Sequence, residues 1–277
     1  MQLWCSAAGG AAWTWTWQPY LGAWLFVLAI AVAYAWQLRR LGPPTDAAAR
    51  NRWKIFFAAG LVLLWLALDW PLAALGAGYL ASVHMARYLL IALLAPPLLL
   101  LGLPAAVFEG LERRPRLMAV LRNLTQPLVA FFVFNVVISV AHWPSVVDLL
   151  MSNQLGAFVL DISWLLAGLI FWWPVICPVP KWPRFTPLWK LAYLGLNGIL
   201  IRPVFLYLLF ARFPAYATYE LAPPIAGTTA LSDQQLAAGI MKLGTALVMV
   251  VAMAIVFHEW AKRSRDAVGG PTRAAQR

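Results

Sequence analysis

The sequence predicts an all-α integral membrane protein, a bundle of about seven transmembrane helices. Two observations support this prediction. The chain has 277 residues, of which 63% are hydrophobic and only 11% are charged, and this is more apolar surface than a soluble domain of that length needs. The apolar residues are also grouped into runs of about 20, the length at which a helix crosses a bilayer. Both observations place the chain in lipid.

The runs follow one another along a single transmembrane domain, residues 1–262. The alternating Trp13, Trp15 and Trp17 precede the first run, as expected of an interfacial aromatic belt. The third run carries a polar cluster at one end, and Pro96 and Pro97 should bend its helix because they lack N–H donors. We find no internal repeat and no separate soluble domain. The predicted spans are about 20–38, 53–70, 79–103, 127–142, 157–176, 188–210 and 235–257.

Positive charge alternates between the connections. By the positive-inside rule, this pattern predicts an N-terminus outside and a C-terminus in the cytoplasm. The net charge of +11 is thereby explained by topology and anionic lipid, not by nucleic acid. We expect no cleaved secretory signal and a disordered cytoplasmic tail over residues 263–277. The basic residues of the expected cytoplasmic side are Arg39, Arg40, Arg50, Arg52, Lys54, Arg113, Arg114, Arg116, Arg122, Lys181, Arg184, Lys190, Lys262, Arg263, Arg265, Arg273 and Arg277.

Polar side chains within the spans collect in the half that should face outside. Ionisable groups inside a membrane usually face a bundle interior or a wet cavity, so the pattern predicts a polar cavity open to the outside. Some of these residues also have an ordinary structural interpretation: His142 could be interfacial, Lys242 could snorkel outward, and Met241 could be a packing residue. The set is His84, Arg87, Tyr88, His142, Asp161, Arg202, Asp233, Gln234, Met241 and Lys242.

Four stretches together resemble one known family. They are Ser82–Met85 followed by LLIALLAPPLLLLGLP, the AHWP around His142, WLLAGLIFWWPV from Trp164, and DQQLA from Asp233 running to Gly239-Ile240-Met241. In order and spacing they are similar to the CtaG family of caa3-type cytochrome c oxidase assembly factors. The resemblance implies a multi-pass protein of the bacterial plasma membrane that helps to supply copper to subunits of a haem-copper oxidase.

The resemblance implies copper as the cofactor and places its ligands at the outer face. Copper(I) prefers thioether, thiolate and imidazole ligands, and the residues of this chain that match are His84, Met85, His142 and Met241. The chain also departs from the family pattern. Tyr88, Ala157 and Asp161 stand where the family usually has histidines, and Lys242 stands where an apolar residue is usual. These departures leave copper binding open.

The departures add opposite charges where imidazoles are lost. A buried carboxylate beside a cation is what an ion pair needs, because unpaired charges in the membrane cost several kcal/mol. We therefore expect Asp161 to pair with Arg87, Arg202 or Lys242. A favourable interaction with a helix dipole is the simpler interpretation of Asp161.

Other functions remain open beside oxidase assembly by copper delivery or by scaffolding of a nascent subunit. One is a structural accessory subunit of a respiratory or photosynthetic complex. Another is a transporter for a small solute, although no inverted repeat is visible. His84 and His142 could also ligate haem as a pair. No catalytic constellation is present, so an enzyme is not expected. Cys5 and Cys177 should lie on opposite sides of the membrane, which excludes a disulfide between them.

Overall fold

A computed structural model describes residues 2–7, 10–41, 47–111, 114–179, 182–200, 202–225 and 227–269. The described residues are helical with no strand, and six helices are long and apolar enough to cross a membrane. A seventh span results if the helix pair Pro115–Leu124 and Pro127–Ala141, bent by 72°, is one crossing. Arg113, Lys181, Arg273 and Arg277, used above for topology, lie outside the described residues. The all-helical membrane fold is thus confirmed.

The helices are numbered here in chain order. Helix α4 contains the π-helical segment Leu89–Leu94, and α13 contains the π-helical segment Ile240–Gly244. They are α1 Leu21–Arg40, α2 Ala47–Leu68, α3 Leu72–Gly78, α4 Ala81–Leu101, α5 Ala106–Leu111, α6 Pro115–Leu124, α7 Pro127–Ala141, α8 Pro144–Met151, α9 Gln154–Ile176, α10 Pro187–Ile199, α11 Pro203–Phe210, α12 Ala217–Glu220, and α13, which joins Ala230–Gly239, the π-helical segment and Thr245–Gly269.

Helices α4 and α9 form the centre of the bundle. Helix α4 packs against α2, α3, α9 and the first part of α13, and α9 packs against α4, α7 and α8. Helices α10 and α13 form a second close pair. The side chains of α1 are mostly exposed, so this helix lies at the periphery. The end of the bundle that holds His84 and His142, which the charge pattern predicts to face outside, is called the outer end below.

The third span continues through Pro96 and Pro97 as one helix, with a π-helical segment just before them. Pro96 and Pro97 have no N–H group to donate to the carbonyls of Ala92 and Leu93, and the helix widens over Leu89–Leu94 just before them. The freed carbonyl of Ala92 lies against Gly168 of α9, where a Cβ atom would come within 2.2 Å of that oxygen. Glycine at 168 therefore allows the two central helices to touch.

Several boundaries differ from the predicted ones. The connection expected over residues 71–78 contains the extra helix α3. The sixth span is two helices, because α10 ends at Ile199 and α11 begins only at Pro203. Helix α13 continues to Gly269, through residues expected to be disordered. Arg263 and Glu259 form an exposed pair four residues apart in this extension, which supports a solvated helix.

Candidate functional site

Two histidines from different helices meet at the outer end. His84 lies in the first turn of α4, and His142 ends α7; neither side chain is exposed. Their ring centroids are 5.7 Å apart, and both rings contact Trp164 of α9, at 4.9 Å and 5.1 Å. Tyr88 lies one turn after His84 and contacts His142 at 4.9 Å. The structure thus brings two imidazoles together inside an aromatic shell.

The nitrogen atoms of this pair are mostly unpaired. His142 Nδ1 lies 2.8 Å from the carbonyl oxygen of Ile138, and since a carbonyl only accepts, Nδ1 carries the proton. In the neutral ring Nε2 then has a free lone pair, and this atom has no partner. Both ring nitrogens of His84 are also buried without a hydrogen bond of ordinary geometry, although the ring lies close to the backbone of Gly76. Buried polar atoms are nearly always satisfied in folded proteins, so these nitrogen atoms are free to bind a further group; the neighbouring Tyr88 hydroxyl and Trp164 indole N–H are unpaired as well.

The ion pair expected of Asp161 is formed with Arg87. Arg87 Nη2 donates to both carboxylate oxygens of Asp161, at 2.9 and 2.8 Å, and the two side chains are 2% and 1% exposed. Trp4 Nε1 also donates to Asp161, at 2.9 Å, and Arg87 Nε donates to the carbonyl oxygen of Ala67, at 2.8 Å. This cluster lies one turn from His84 along α4 and one turn from Trp164 along α9, so it fixes the relative position of the helices that carry the aromatic site.

Arg202 and Lys242 belong to a separate group at the break in the sixth span. Arg202 donates to the side-chain oxygens of Asn135 and Asn197, at 3.0 and 3.2 Å. The ammonium group of Lys242 donates to the carbonyls of residues 198 and 200, at 2.9 and 3.2 Å. Neither cation pairs with Asp161, and Lys242 does not snorkel to the outside, because it caps the carbonyl end of α10.

Asp233 and Gln234 act as tethers at the start of α13. Asp233 accepts hydrogen bonds from the backbone and the hydroxyl of Ser82, which joins α13 to α4. Gln234 accepts from the backbone N–H of Ala215, at 2.6 Å, and donates to the carbonyl of Leu208, at 3.1 Å. Both side chains therefore hold together the segments that surround the histidines. None of these hydrogen bonds involves an imidazole.

The two methionines of the predicted ligand set, Met85 and Met241, are buried, with exposed fractions of 0% and 1%. Met85 directly follows His84, so its side chain leaves the helix about 100° around the axis from the imidazole. Met241 lies in the π-helical segment of α13, which packs against α4. Among the described residues no group of three His, Cys, Asp or Glu side chains is arranged to hold a metal ion. Of the predicted ligand set, the structure places the rings of His84 and His142 in contact.

The polar groups are closed off at the outer end instead of lining an open cavity. The hydroxyl of Tyr216 donates to the carbonyl of His142, at 2.8 Å, and that of Tyr219 donates to the carbonyl of Gly76, at 2.6 Å. Tyr219 also lies 6.0 Å from the ring of His84. Asp148 accepts from the backbone and hydroxyl of Thr218 and fixes the start of α12. We call residues 215–220 the tyrosine cover.

Sequence reasoning missed several residues of the site. Asn135 and Asn197 were visible as amides within apolar runs, and that signal indicates buried hydrogen bonding. Trp164 lies within the apolar run of its span, so nothing in the sequence distinguished it from the lipid-facing and core residues around it. Trp4 lies in an irregular segment, and the tyrosine cover contains only the single helical turn of α12, so no periodicity shows which of their side chains turn inward. A cavity of about 360 Å³ beside Cys5 and Tyr79 contains none of the predicted site residues.

Comparison with known proteins agrees with the resemblance given by the motifs. Three curated relatives are uncharacterized proteins of Mycobacterium bovis, M. tuberculosis and M. leprae, each 26% identical to this chain over 282 to 288 residues. The alignments cover 90–91% of this chain and 40% of each relative, so the chain spans less than half the length of these relatives. No solved structure matches. The model of the cytochrome c oxidase caa3 assembly factor family matches residues 32–263, and the chain therefore belongs to that family.

Proposed function

We propose that the chain carries copper(I) at the outer end of a bacterial plasma membrane and passes it to a subunit of a haem-copper oxidase. The family indicates a role in cytochrome c oxidase assembly, and an assembly role is non-catalytic. The observation that supports the copper step is the buried pair His84 and His142, which presents unpaired nitrogen atoms. Copper is the cargo in this proposal, not a resident cofactor.

The chemistry of the pair suits copper(I). Imidazole is a good ligand for copper, and a metal–nitrogen bond of about 2 Å lets two rings at this separation share one ion. The hydrogen bond from His142 Nδ1 to Ile138 orients the ring and frees Nε2, as the outer partners of metal-bound histidines do.

The surroundings also favour release. The buried guanidinium of Arg202 lies over the ring of Phe134, on the helix that His142 ends, so a cation bound to the imidazole is repelled by a like charge in a medium of low dielectric constant. Asp161 is held by Arg87 and Trp4 and does not offset that charge freely. A two-coordinate ion that is repelled by its neighbours exchanges readily, which is what a carrier requires. The tyrosine cover has to open for loading or delivery, since both imidazoles are fully buried.

The test is copper(I) stoichiometry under anaerobic, reducing conditions against a competing chelator. His84→Ala and His142→Ala, singly and together, should each lose the ion. The third histidine of the chain provides the matched control, because His258 is exposed near the other end of α13 and His258→Ala should keep one copper per chain. X-ray absorption should show nitrogen ligands; added sulfur scattering would bring Met85 or Met241 into the site.

Two outcomes would overturn the copper step. If the wild-type protein bound no copper, the copper step would be wrong and the family role would be that of a scaffold for a nascent subunit. Co-purification with oxidase subunits would then be measured. A Soret band that disappears in the His84→Ala, His142→Ala double variant would show instead that the pair ligates haem.

A further inference from the structure

A buried positive charge lies at the break in the sixth span. Arg202 has an extended backbone, with φ −78° and ψ 140°, between the end of α10 and the start of α11. The residue is 4% exposed. Its hydrogen-bond partners are the neutral side-chain oxygens of Asn135 and Asn197. In the part of the chain that the structure describes, Arg202 makes no ion pair. A buried cation without a counter-charge is strongly unfavourable, and the ring of Phe134, 5.7 Å from the guanidinium carbon, offsets the charge only in part.

Lys242 adds a second positive charge close by, but that charge is already offset. Its ammonium group donates to the carbonyls of Gly198 and Leu200 at the last turn of α10. The carbonyl end of a helix carries a partial negative charge, which stabilises a cation there. Lys242 and Arg202 also interact electrostatically, so neither can offset the other. The region therefore keeps about one uncompensated positive charge, that of Arg202.

The same network holds an unused hydrogen-bond donor. Asn197 is fully buried, and its Oδ1 accepts from both Arg202 and Asn135. Its Nδ2 has no partner, and it belongs to the same amide group as the Oδ1 that accepts from the guanidinium. A buried amide N–H without an acceptor is rare. A positive charge and a free donor at one place are complementary to an anion and not to a cation.

We propose that the site beside Arg202 and Asn197 binds a small inorganic monovalent anion, with chloride as the probe. A monovalent ion matches the single uncompensated charge. A small ion is proposed because Arg202, Asn135 and Asn197 are already joined by bonds of 3.0 and 3.2 Å, so the anion has to bind beside this network and not between its members. The anion fixes the junction of α10 and α11. This inference does not depend on copper binding, since neither histidine supplies a ligand. A bound anion would, however, offset the charge of Arg202 and so weaken the repulsion invoked above for copper release.

The test is thermal unfolding of the full chain in detergent, in sodium chloride and in sodium gluconate at equal ionic strength. A saturating ligand stabilises the folded state by mass action, and we expect the melting temperature to be about 5 °C higher in chloride. Arg202→Gln should lose the difference between the two salts. Arg265→Gln, at an exposed position of α13, is the matched control and should retain it. Equilibrium dialysis with labelled chloride should give one ion per wild-type chain and none for Arg202→Gln.

Asn197→Asp keeps the proposal testable if Arg202→Gln does not fold. The substitution places a carboxylate beside the guanidinium, so the protein should be as stable in gluconate as the wild type is in chloride, and it should bind no chloride. Equal melting temperatures of the wild type in both salts, together with no bound chloride, would overturn the proposal and indicate that water satisfies Asn197. A salt effect of the same size in Arg202→Gln would also overturn it, as a general ion effect.

Discussion

The buried pair Arg87–Asp161 should be a main determinant of stability, and Asp161→Ala tests this. Removing one partner of a buried ion pair leaves the other charge uncompensated and costs about 3–5 kcal/mol. Here the remaining guanidinium would keep its bond to Ala67 but lose both contacts to the carboxylate, while Trp4 would lose its acceptor. For a chain of this size, that loss lowers the melting temperature by roughly 10 °C. Thermal unfolding in detergent, followed by tryptophan fluorescence, measures it.

The chain contains its own control for this experiment. Arg263 and Glu259 form a pair at 3.7 Å, but their side chains are 76% and 63% exposed. Exposed pairs are screened by water, so Glu259→Ala should change the melting temperature by no more than about 1–2 °C. The double variant Arg87→Met, Asp161→Leu should recover much of the loss, because it removes both buried charges. If Asp161→Ala unfolded at the same temperature as Glu259→Ala, the reasoning would be refuted.

Three further predictions concern other parts of the molecule. Gly168→Ala should destabilise the bundle by about 1–3 kcal/mol, because the new Cβ would clash with the carbonyl oxygen of Ala92. The control Gly239→Ala, where the new Cβ would have nothing within 4 Å, should be neutral or stabilising. A similar effect of the two substitutions on the melting temperature would contradict the proposed contact. Lys242→Met should lower the free energy of unfolding by about 1–3 kcal/mol, because it leaves two carbonyl groups unpaired. Thermal unfolding in detergent measures this loss, and a melting temperature equal to that of the wild type would show that water replaces the ammonium group. In a Cys177→Ser background, Cys5 of the folded protein should react slowly with maleimide at pH 8, because burial raises the pKa of its thiol to about 11. The reaction should become rapid once the chain is unfolded. Equal rates in the two states would show that the segment around Cys5 is accessible in the folded protein.

The helical fold and the approximate number of membrane spans could be predicted from sequence because each transmembrane span needs about 20 apolar residues. The ends of the spans were less predictable. Leu72–Gly78 is a short apolar stretch without charge, which reads equally well as a loop or a helix, and the structure shows a helix there. The break before Pro203 was also missed, although proline at the first position of a helix is a known start signal.

The residues of the candidate site were found more readily than their partners. Depth in the membrane marked Arg87, Asp161 and Arg202 as residues in need of partners. Spacing along the chain does not show which helix faces which, so the choice of Arg87 over Arg202 for Asp161 required the fold. Trp4, from an irregular segment 157 positions away from Asp161, could not be assigned to that pair from the sequence at all.

The π-helical segments of α4 and α13 make the length of these helices adjustable. Leu89, which begins one segment, packs against Gly244, which ends the other. A π-helical turn holds one residue more than an α-helical turn. Deleting one residue inside Leu89–Leu94 could therefore restore an ordinary α-helix while both flanking halves keep their faces toward the same neighbours. A deletion elsewhere in α4 would rotate one half by about 100°. Insertions and deletions among homologous chains should accordingly concentrate at these two places.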